Sequence, residues 1–204
     1  MKILAFQGSP RLGGNTDILV DALIHGAITK GAEAEKINLI QKKITPCIEC
    51  GQCDDTGICV IEDDMKSIYD KIKTSDVVVV ASPIFFYNIT AYTQALVERS
   101  QPCWIQKYVL KTGLYGGKKR KGIFLSLGAT KGKKLFNGVI RVINYFFDAI
   151  STNFEGALLY RGIEKKGEIQ KHLYALKEAE ELGSLLAQNS NLSTFSPLFV
   201  PGKK

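Results

Sequence analysis

A run of four consecutive valines, Val77–Val80, strongly restricts the folds open to this 204-residue chain. β-Branched residues favour strands, and a strand without polar alternation must bury both of its faces. Such strands are typical of parallel sheets covered by helices on both sides. Because 45% of the residues are hydrophobic and 23% are charged, the chain can form one well-packed domain and shows no sign of global disorder.

Further strand and helix patterns alternate along the chain. Strands are predicted at residues 2–7, 34–39, 76–82, 122–127 and 153–160. Helices are predicted at residues 18–27, 63–73, 90–101, 135–149 and 166–188. This alternation predicts an α/β fold with a doubly wound, five-stranded parallel sheet of flavodoxin-like strand order 2-1-3-4-5. Residues 1–190 are expected to form the single domain, with a cysteine-rich loop at 45–61, and residues 191–204 a loose tail.

The segment between the first strand and the first helix, residues 8–16, is rich in glycine and polar side chains. Backbone N–H groups at a helix start, together with the positive end of the helix dipole, bind anions. Ser9, Asn15 and Thr16 can add side-chain donors, and Arg11 can add a positive charge. The segment lacks the glycine patterns of triphosphate and dinucleotide sites. It predicts a site for one phosphate monoester, with simple helix capping as the alternative.

Four of the five cysteines lie within thirteen residues, at C-x2-C-x2-C spacing followed by a gap of five residues: Cys47, Cys50, Cys53 and Cys59. Closely spaced thiolates in one loop can surround a single iron-sulfur cluster. Zinc sites more often combine two separated ligand pairs, and neither His25 nor His172 lies nearby in sequence. The pattern predicts an iron-sulfur cluster, with four reduced thiols as the alternative.

Basic residues outnumber acidic residues by 27 to 20, which gives a net charge of +7. The excess is concentrated at residues 118–121, 131–134, 165–166 and 203–204. It predicts a solvated face or, alternatively, a surface that attracts an acidic electron carrier or a phosphorylated nicotinamide. No nucleic-acid-binding signature accompanies the charge. Since no bilayer-length apolar run or signal-peptide pattern is seen, we expect a cytoplasmic protein without membrane or nucleic-acid partners.

In a sheet of this order, ligands bind beyond the carboxyl ends of the strands, where strands one and three lie side by side. The segments 8–16, 82–88 and 126–132 follow strands one, three and four. The cysteine loop follows strand two, which neighbours strand one. We therefore expect all four segments to meet at one rim of the sheet.

Three motifs together resemble the iron-sulfur flavoproteins, within the larger NADPH-dependent FMN reductase, or flavodoxin-like, superfamily. They are GSPR-x-x-GNT at 8–16, SPIFFYN at 82–88, and the C-x2-C-x2-C-x5-C loop followed by Asp63, Asp64 and Met65. The resemblance covers roughly residues 1–135. The first two motifs occur in many flavin reductases, whereas the cysteine loop is much more specific.

The resemblance implies bound FMN, a 4Fe-4S cluster and a homo-oligomer in which a neighbouring subunit can complete each flavin pocket. The residues that it places at the FMN phosphate are Ser9, Arg11, Asn15 and Thr16. Those at the isoalloxazine ring are Pro83, Ile84, Phe85, Phe86 and Asn88, with Gly128, Ala129 and Thr130 on the pyrimidine side. The cluster ligands are Cys47, Cys50, Cys53 and Cys59.

These cofactors predict an electron relay. A one-electron donor such as ferredoxin would reduce the cluster, and FMN would deliver electron pairs to an acceptor. No catalytic side chain is required. Acidic residues in the loop are expected to lower the cluster potential: Glu49, Asp54, Asp55 and Glu62.

Three alternatives stay open. The first is a cluster-free NAD(P)H-dependent FMN or quinone reductase with purely structural thiols. The second is a non-catalytic electron carrier or redox sensor, and the third is a zinc-stabilised flavin-binding module. Outside these motifs, Cys103 is expected to be an inert buried thiol, and the three consecutive aromatic residues 145–147 are expected to form a subunit contact.

Overall fold

Five parallel strands form one sheet in the order β2-β1-β3-β4-β5, with helices on both faces. The structure is a computed structural model that describes residues 1–112 and 119–199. The strands are β1 (Lys2–Gln7), β2 (Glu33–Asn38), β3 (Val77–Pro83), β4 (Arg120–Gly128) and β5 (Thr152–Arg161). The α-helices are α1 (Asn15–Ile28), α2 (Met65–Thr74), α3 (Ala91–Glu98), α4 (Gln101–Trp104), α5 (Asn137–Ala149) and α6 (Leu173–Ala187). The predicted fold class is confirmed, including the cysteine-rich loop between β2 and α2.

The sheet separates two apolar cores, as the unbroken valine run predicts. Val77 and Val79 pack on one face, against α1 and α6. Val78 and Val80 pack on the other face, against α2, α3 and α5. All four valines are completely buried, because β3 is flanked by β1 and β4 and covered by helices on both sides.

The predicted third helix, 90–101, is divided in the structure. α3 ends at Glu98, and Pro102 lies in the first turn of a second short helix, α4. Proline lacks an N–H group and disfavours a helical residue before it, so a helix starts at this position more readily than it continues through it. A π-helical turn, Ile105–Val109, follows α4.

The last helix also begins later than the predicted residue 166. Gly167 has a φ of 78°, and a 3-10 helix, Glu168–Lys171, precedes α6. The left-handed Gly167 ends any α-helix that would begin at residue 166, and His172, with a φ of −100° and a ψ of 66°, separates the 3-10 helix from α6.

The expectation of a loose tail is wrong for the described residues 191–199. Leu192, Phe195 and Leu198 are buried in the core beside α1 and α6. The backbone of Phe199 exchanges two hydrogen bonds of 2.8 Å with Ala157 of β5. The domain therefore extends beyond residue 190, because these apolar side chains complete one of its two cores.

Two expectations about surface residues need correction. Phe146 and Phe147 lie on the buried face of α5, so of the aromatic residues at 145–147 only Tyr145 is exposed. Arg120 is only 1% exposed and donates hydrogen bonds to the carbonyl oxygens of Ile72 and Lys73. The basic residues Lys118, Lys203 and Lys204 lie outside the described residues. Within the described chain, no helix has the length and apolar character needed to cross a bilayer.

Candidate functional site

The turn between β1 and α1 is folded by its own hydrogen bonds. The Ser9 N–H donates to the Gln7 side chain at 2.5 Å, and the Gly13 N–H donates to Asp17 at 2.7 Å. The Ser9 hydroxyl accepts from the Arg11 N–H at 3.1 Å, so the hydroxyl hydrogen remains available to a ligand. The backbone N–H groups that open α1 have no carbonyl partners within the helix. They can therefore bind an anion above the turn.

This turn forms one wall of a cavity of about 240 Å³. Nine of the twelve residues predicted to bind FMN line it: Ser9, Arg11, Asn15, Thr16, Pro83, Ile84, Phe85, Gly128 and Ala129. The carboxyl ends of β1, β3 and β4 thus bring three of the predicted segments together, as the strand order requires. Thr16 is only 1% exposed, which places it at the base of the cavity, while Arg11 is exposed.

The three remaining predicted residues, Phe86, Asn88 and Thr130, do not line this cavity. Phe85 and Asn88 exchange two backbone hydrogen bonds of 2.8 and 2.9 Å. Between them, Phe86 and Tyr87 have φ values of 49° and 62°, the conformation of a tight hairpin turn. The turn holds Phe86 completely exposed at the edge of the site.

A further segment at this rim, residues 163–169, was not predicted. Ile163 and Glu164 line the cavity. The Asn15 side chain donates to the Lys165 carbonyl at 2.9 Å and accepts from the Ile169 N–H at 3.1 Å. The segment connects β5 to α6, which packs beside α1. The sequence signal that could have found this segment is its position after the carboxyl end of β5.

Asn15→Ala is expected to loosen this segment. The substitution removes two hydrogen bonds, each worth about 1 kcal/mol, and should lower the free energy of unfolding by about 1–2 kcal/mol. Amide hydrogen exchange at residues 164–169 should accelerate roughly tenfold. Asn144→Ala, at an exposed position of α5, is the matched control and should leave both quantities nearly unchanged. Equal exchange rates in wild type and Asn15→Ala would contradict the expectation.

The cysteine loop is closed at its base by hydrogen bonds between its two ends. The Thr45 N–H donates to the Asp63 carboxylate at 2.9 Å, and the Lys43 N–H donates to Asp64 at 2.7 Å. Arg99, which follows α3, donates to the same Asp63 and to the Thr45 carbonyl. We call these contacts the loop base. They bring together residues on both sides of the cysteine segment and fasten it to the end of α3.

All four cysteines of the loop line a second cavity, of about 680 Å³. Its opposite wall is formed by residues at the end of α3 and the start of α4: Glu98, Arg99, Gln101 and Pro102. Cys47 and Cys50 are exposed, and Cys53 and Cys59 are half-buried. Burial raises the pKa of Cys53, as do the charges of Asp54, Cys59 and Cys47. A negative charge on one of these thiols therefore makes deprotonation of Cys53 less favourable.

No three His, Cys, Asp or Glu side chains within residues 1–112 and 119–199 are grouped closely enough to hold one metal ion. The four thiols instead line one shared cavity. A cluster of several irons suits such an arrangement, because each thiolate binds a different iron. A cavity of this size can accommodate it.

We call the cavity lined by the four cysteines the cysteine cavity, and the cavity around Ser9, Thr16 and Phe85 the FMN-type cavity. Among the described residues, the two share no lining residue. The cysteine loop leaves the sheet after β2, as predicted, but its thiols line a cavity of their own. The two cavities lie at opposite ends of α3. The hydroxyl of Thr90, its N-cap, donates to the Gly8 carbonyl at 2.6 Å, whereas Glu98 and Arg99 line the cysteine cavity. A helix of eight residues spans about 12 Å.

A parallel sheet of this order, with a glycine-rich turn leading into α1 at the junction of β1 and β3, defines a flavodoxin-like protein. The profile of NADPH-dependent FMN reductases matches residues 1–129, and the chain belongs to that family. It is 34% identical over 131 residues to an iron-sulfur flavoprotein of Methanosarcina thermophila, and 38% identical over 102 residues to one of Methanocaldococcus jannaschii. The predicted resemblance to iron-sulfur flavoproteins is confirmed.

These alignments cover 64% and 50% of this chain, and the chain spans 65% and 53% of the lengths of the two relatives. Among solved structures, an NAD(P)H:quinone oxidoreductase of Methanothermobacter marburgensis has a TM-score of 0.68 at 12% identity. That match covers 91% of this chain and 98% of the other. At this identity it supports the fold alone.

Proposed function

We propose that the protein is an FMN-dependent oxidoreductase that relays electrons from a one-electron donor, through a 4Fe-4S cluster, to FMN and on to a two-electron acceptor. The observation that carries the proposal is that an anion-binding cavity and a cavity lined by four cysteines lie at the two ends of one short helix. When bound, a 4Fe-4S cluster exchanges single electrons and FMN exchanges one or two.

The family and the cavity around Thr16 both support FMN as the flavin. Arg11, Ser9 and the N–H groups opening α1 would bind its phosphate. Pro83, Ile84 and Phe85 would contact the ring, with Gly128 and Ala129 opposite. Among the described residues, the ionisable ones that line this cavity are Arg11 and Glu164. Because the redox chemistry belongs to the flavin, the protein's part is to hold and orient it, and the proposal requires no side-chain acid or base.

The cysteine arrangement supports a cluster over a zinc ion. Zinc sites more often combine two separated ligand pairs, whereas these four thiols come from one loop and line one cavity. The names of the two relatives agree with this choice. Cys47, Cys50, Cys53 and Cys59 would be the four ligands.

Purification without oxygen, followed by quantification of iron, sulfide, zinc and flavin, tests the proposal. We expect about four irons and four sulfides per FMN, and turnover with reduced ferredoxin. Flavin without iron, together with turnover by NADPH alone, would overturn the relay in favour of a cluster-free NAD(P)H-dependent reductase. One zinc per chain would instead indicate the zinc-stabilised flavin-binding module. A replete protein that exchanges electrons but reduces no acceptor would be an electron carrier or sensor.

We also propose that the protein is a homo-oligomer and that the turn formed by residues 85–88 lies at a subunit contact. The exposed aromatic side chains of Phe86 and Tyr87 stand at the rim of the FMN-type cavity. Left-handed backbone at a residue other than glycine is strained, and strained turns are concentrated at functional sites. A second copy would bury these rings and close the cavity.

Phe86→Ser is expected to weaken self-association at least tenfold, because Phe86 is the most exposed aromatic residue of the turn and offers the most apolar area for burial at a contact. Sedimentation velocity over a concentration series measures this. Tyr174→Ser removes an exposed aromatic ring on α6 and serves as the control. An unchanged oligomer in Phe86→Ser, or a monomeric wild type, would contradict the proposed contact.

A further inference from the structure

Arg99 is a fully buried cation on the wall of the cysteine cavity. Its side chain and that of its ion-pair partner Asp63 are each 1% exposed. The two terminal nitrogens donate to the two Asp63 oxygens at 2.6 and 3.2 Å, and one of them also donates to the Thr45 carbonyl at 2.8 Å. The Nε atom is also buried, and it has no hydrogen-bond partner within the described chain.

An unpaired buried donor is costly. Leaving the N–H of a charged group unsatisfied costs about 1–3 kcal/mol or more, and such groups are rare in native proteins. Holding the loop base requires only the terminal nitrogens of Arg99, so that role does not account for Nε. A sulfur acceptor in the cavity that Arg99 lines would supply the missing partner.

Among the described residues, Arg99 is the one basic residue that lines the cavity, which the acidic residues Glu49, Asp54 and Glu98 also line. Arg99 lines the cavity, whereas Asp63 does not. Both Asp63 oxygens are occupied, since they accept from the Thr45 and Met65 N–H groups as well as from Arg99. Burial lowers the pKa of Arg99, but the hydrogen bonds that it donates to Asp63 and the charge of that carboxylate raise it by more.

We propose that Arg99 is a positioning residue for the iron-sulfur cluster, donating its Nε hydrogen to a sulfur atom in this cavity and raising the cluster's reduction potential through its positive charge. The inference rests on the proposed function, which places the cluster there. Reduction adds one electron to this cavity, so an adjacent cation stabilises the reduced state more than the oxidised state. Arg99 thereby opposes the acidic residues of the loop, of which Glu49 and Asp54 line the same cavity.

The test is a reductive titration, with dithionite, of full-length protein purified without oxygen, followed by electron paramagnetic resonance. Arg99→Gln removes the charge and the Nε donor, and should lower the equilibrium constant for reduction at least tenfold, a shift of about 59 mV for one electron. Asp63→Asn leaves the Arg99 charge uncompensated and should shift the equilibrium in the opposite direction. Arg99→Lys keeps the charge and should shift it by less than Arg99→Gln. Arg120→Gln, at the other fully buried arginine, is the control and should cause no shift.

The iron, sulfide and FMN contents distinguish a failure of the proposed function from a failure of the inference about Arg99. Wild-type protein that contains FMN but no iron or sulfide would overturn the proposed relay and this inference with it. If wild type and Arg99→Gln both contain full iron, sulfide and FMN and have equal cluster potentials, the inference alone is overturned. A downward shift of the cluster potential in Asp63→Asn would overturn it too. If Arg99→Gln does not fold, an upward shift in Asp63→Asn supports the inference. Loss of the cluster from Arg99→Lys with normal FMN content would show that Arg99 only holds the loop base. That result would overturn the inference.

Discussion

Cys53→Ser is expected to reduce bound iron and sulfide to less than about a tenth of the wild-type content, because a neutral hydroxyl replaces a thiolate ligand. Cys53 is half-buried and lies on the wall shared by all four cysteines, so solvent cannot readily replace it as a ligand. FMN content should remain within about 20% of wild type, since no cysteine lines the FMN-type cavity. Colorimetric iron and sulfide assays on protein prepared without oxygen measure the loss.

Cys103→Ala is the matched control for this substitution. Cys103 is 2% exposed and packs in the core on the α2, α3 and α5 face of the sheet. A small buried thiol is replaced by a smaller apolar side chain, which should cost about 1 kcal/mol of stability and no iron. Equal iron loss in the two variants would show that the assay reports core disruption. Full iron content in Cys53→Ser would exclude Cys53 as a ligand.

Thr16→Asp is expected to weaken FMN binding by about a thousandfold. The substitution places a carboxylate in the first turn of α1, at the base of the cavity proposed to hold the FMN phosphate. Two like charges about 4 Å apart repel by roughly 4 kcal/mol at the effective dielectric of a partly buried site. A carboxylate also favours the amino end of a helix by about 0.3–1 kcal/mol, so the apoprotein should remain folded while its affinity falls. Fluorescence titration of apoprotein with FMN measures the dissociation constant.

Thr29→Asp introduces the same charge at the other end of α1. Thr29 is exposed and is the C-cap of the helix, about 20 Å from Thr16 along the helix axis. There the charge opposes the helix dipole, so stability should fall slightly while FMN affinity stays within about twofold. Equal FMN affinities of Thr16→Asp and wild type would contradict the proposed position of the phosphate. Thr16→Val, which removes only the hydroxyl, should weaken binding about tenfold through one hydrogen bond to a charged group.

Local patterns accounted for the architecture and for most of the proposed site residues. The buried valine run of β3 and the alternation of strands and helices determined the parallel sheet, because side-chain periodicity reports which faces are buried. The residues of the turn before α1 and the spacing of the cysteines likewise depend on neighbours in sequence. Nine of the twelve predicted FMN residues line one cavity for that reason.

Patterns along the sequence were enough to predict the strands, their order, the glycine-rich turn before α1 and the compact set of four thiols. Only the tertiary structure showed that α6 packs beside α1 and thereby brings residues 163–169 to Asn15, and that α3 separates the cysteine cavity from the FMN-type cavity. It also paired Arg99 with Asp63 and Thr45, which are 36 and 54 residues away in sequence. The physical reason is that periodicity and motif spacing describe contacts within a few residues, whereas the position of a long loop depends on which distant side chains satisfy its buried polar groups.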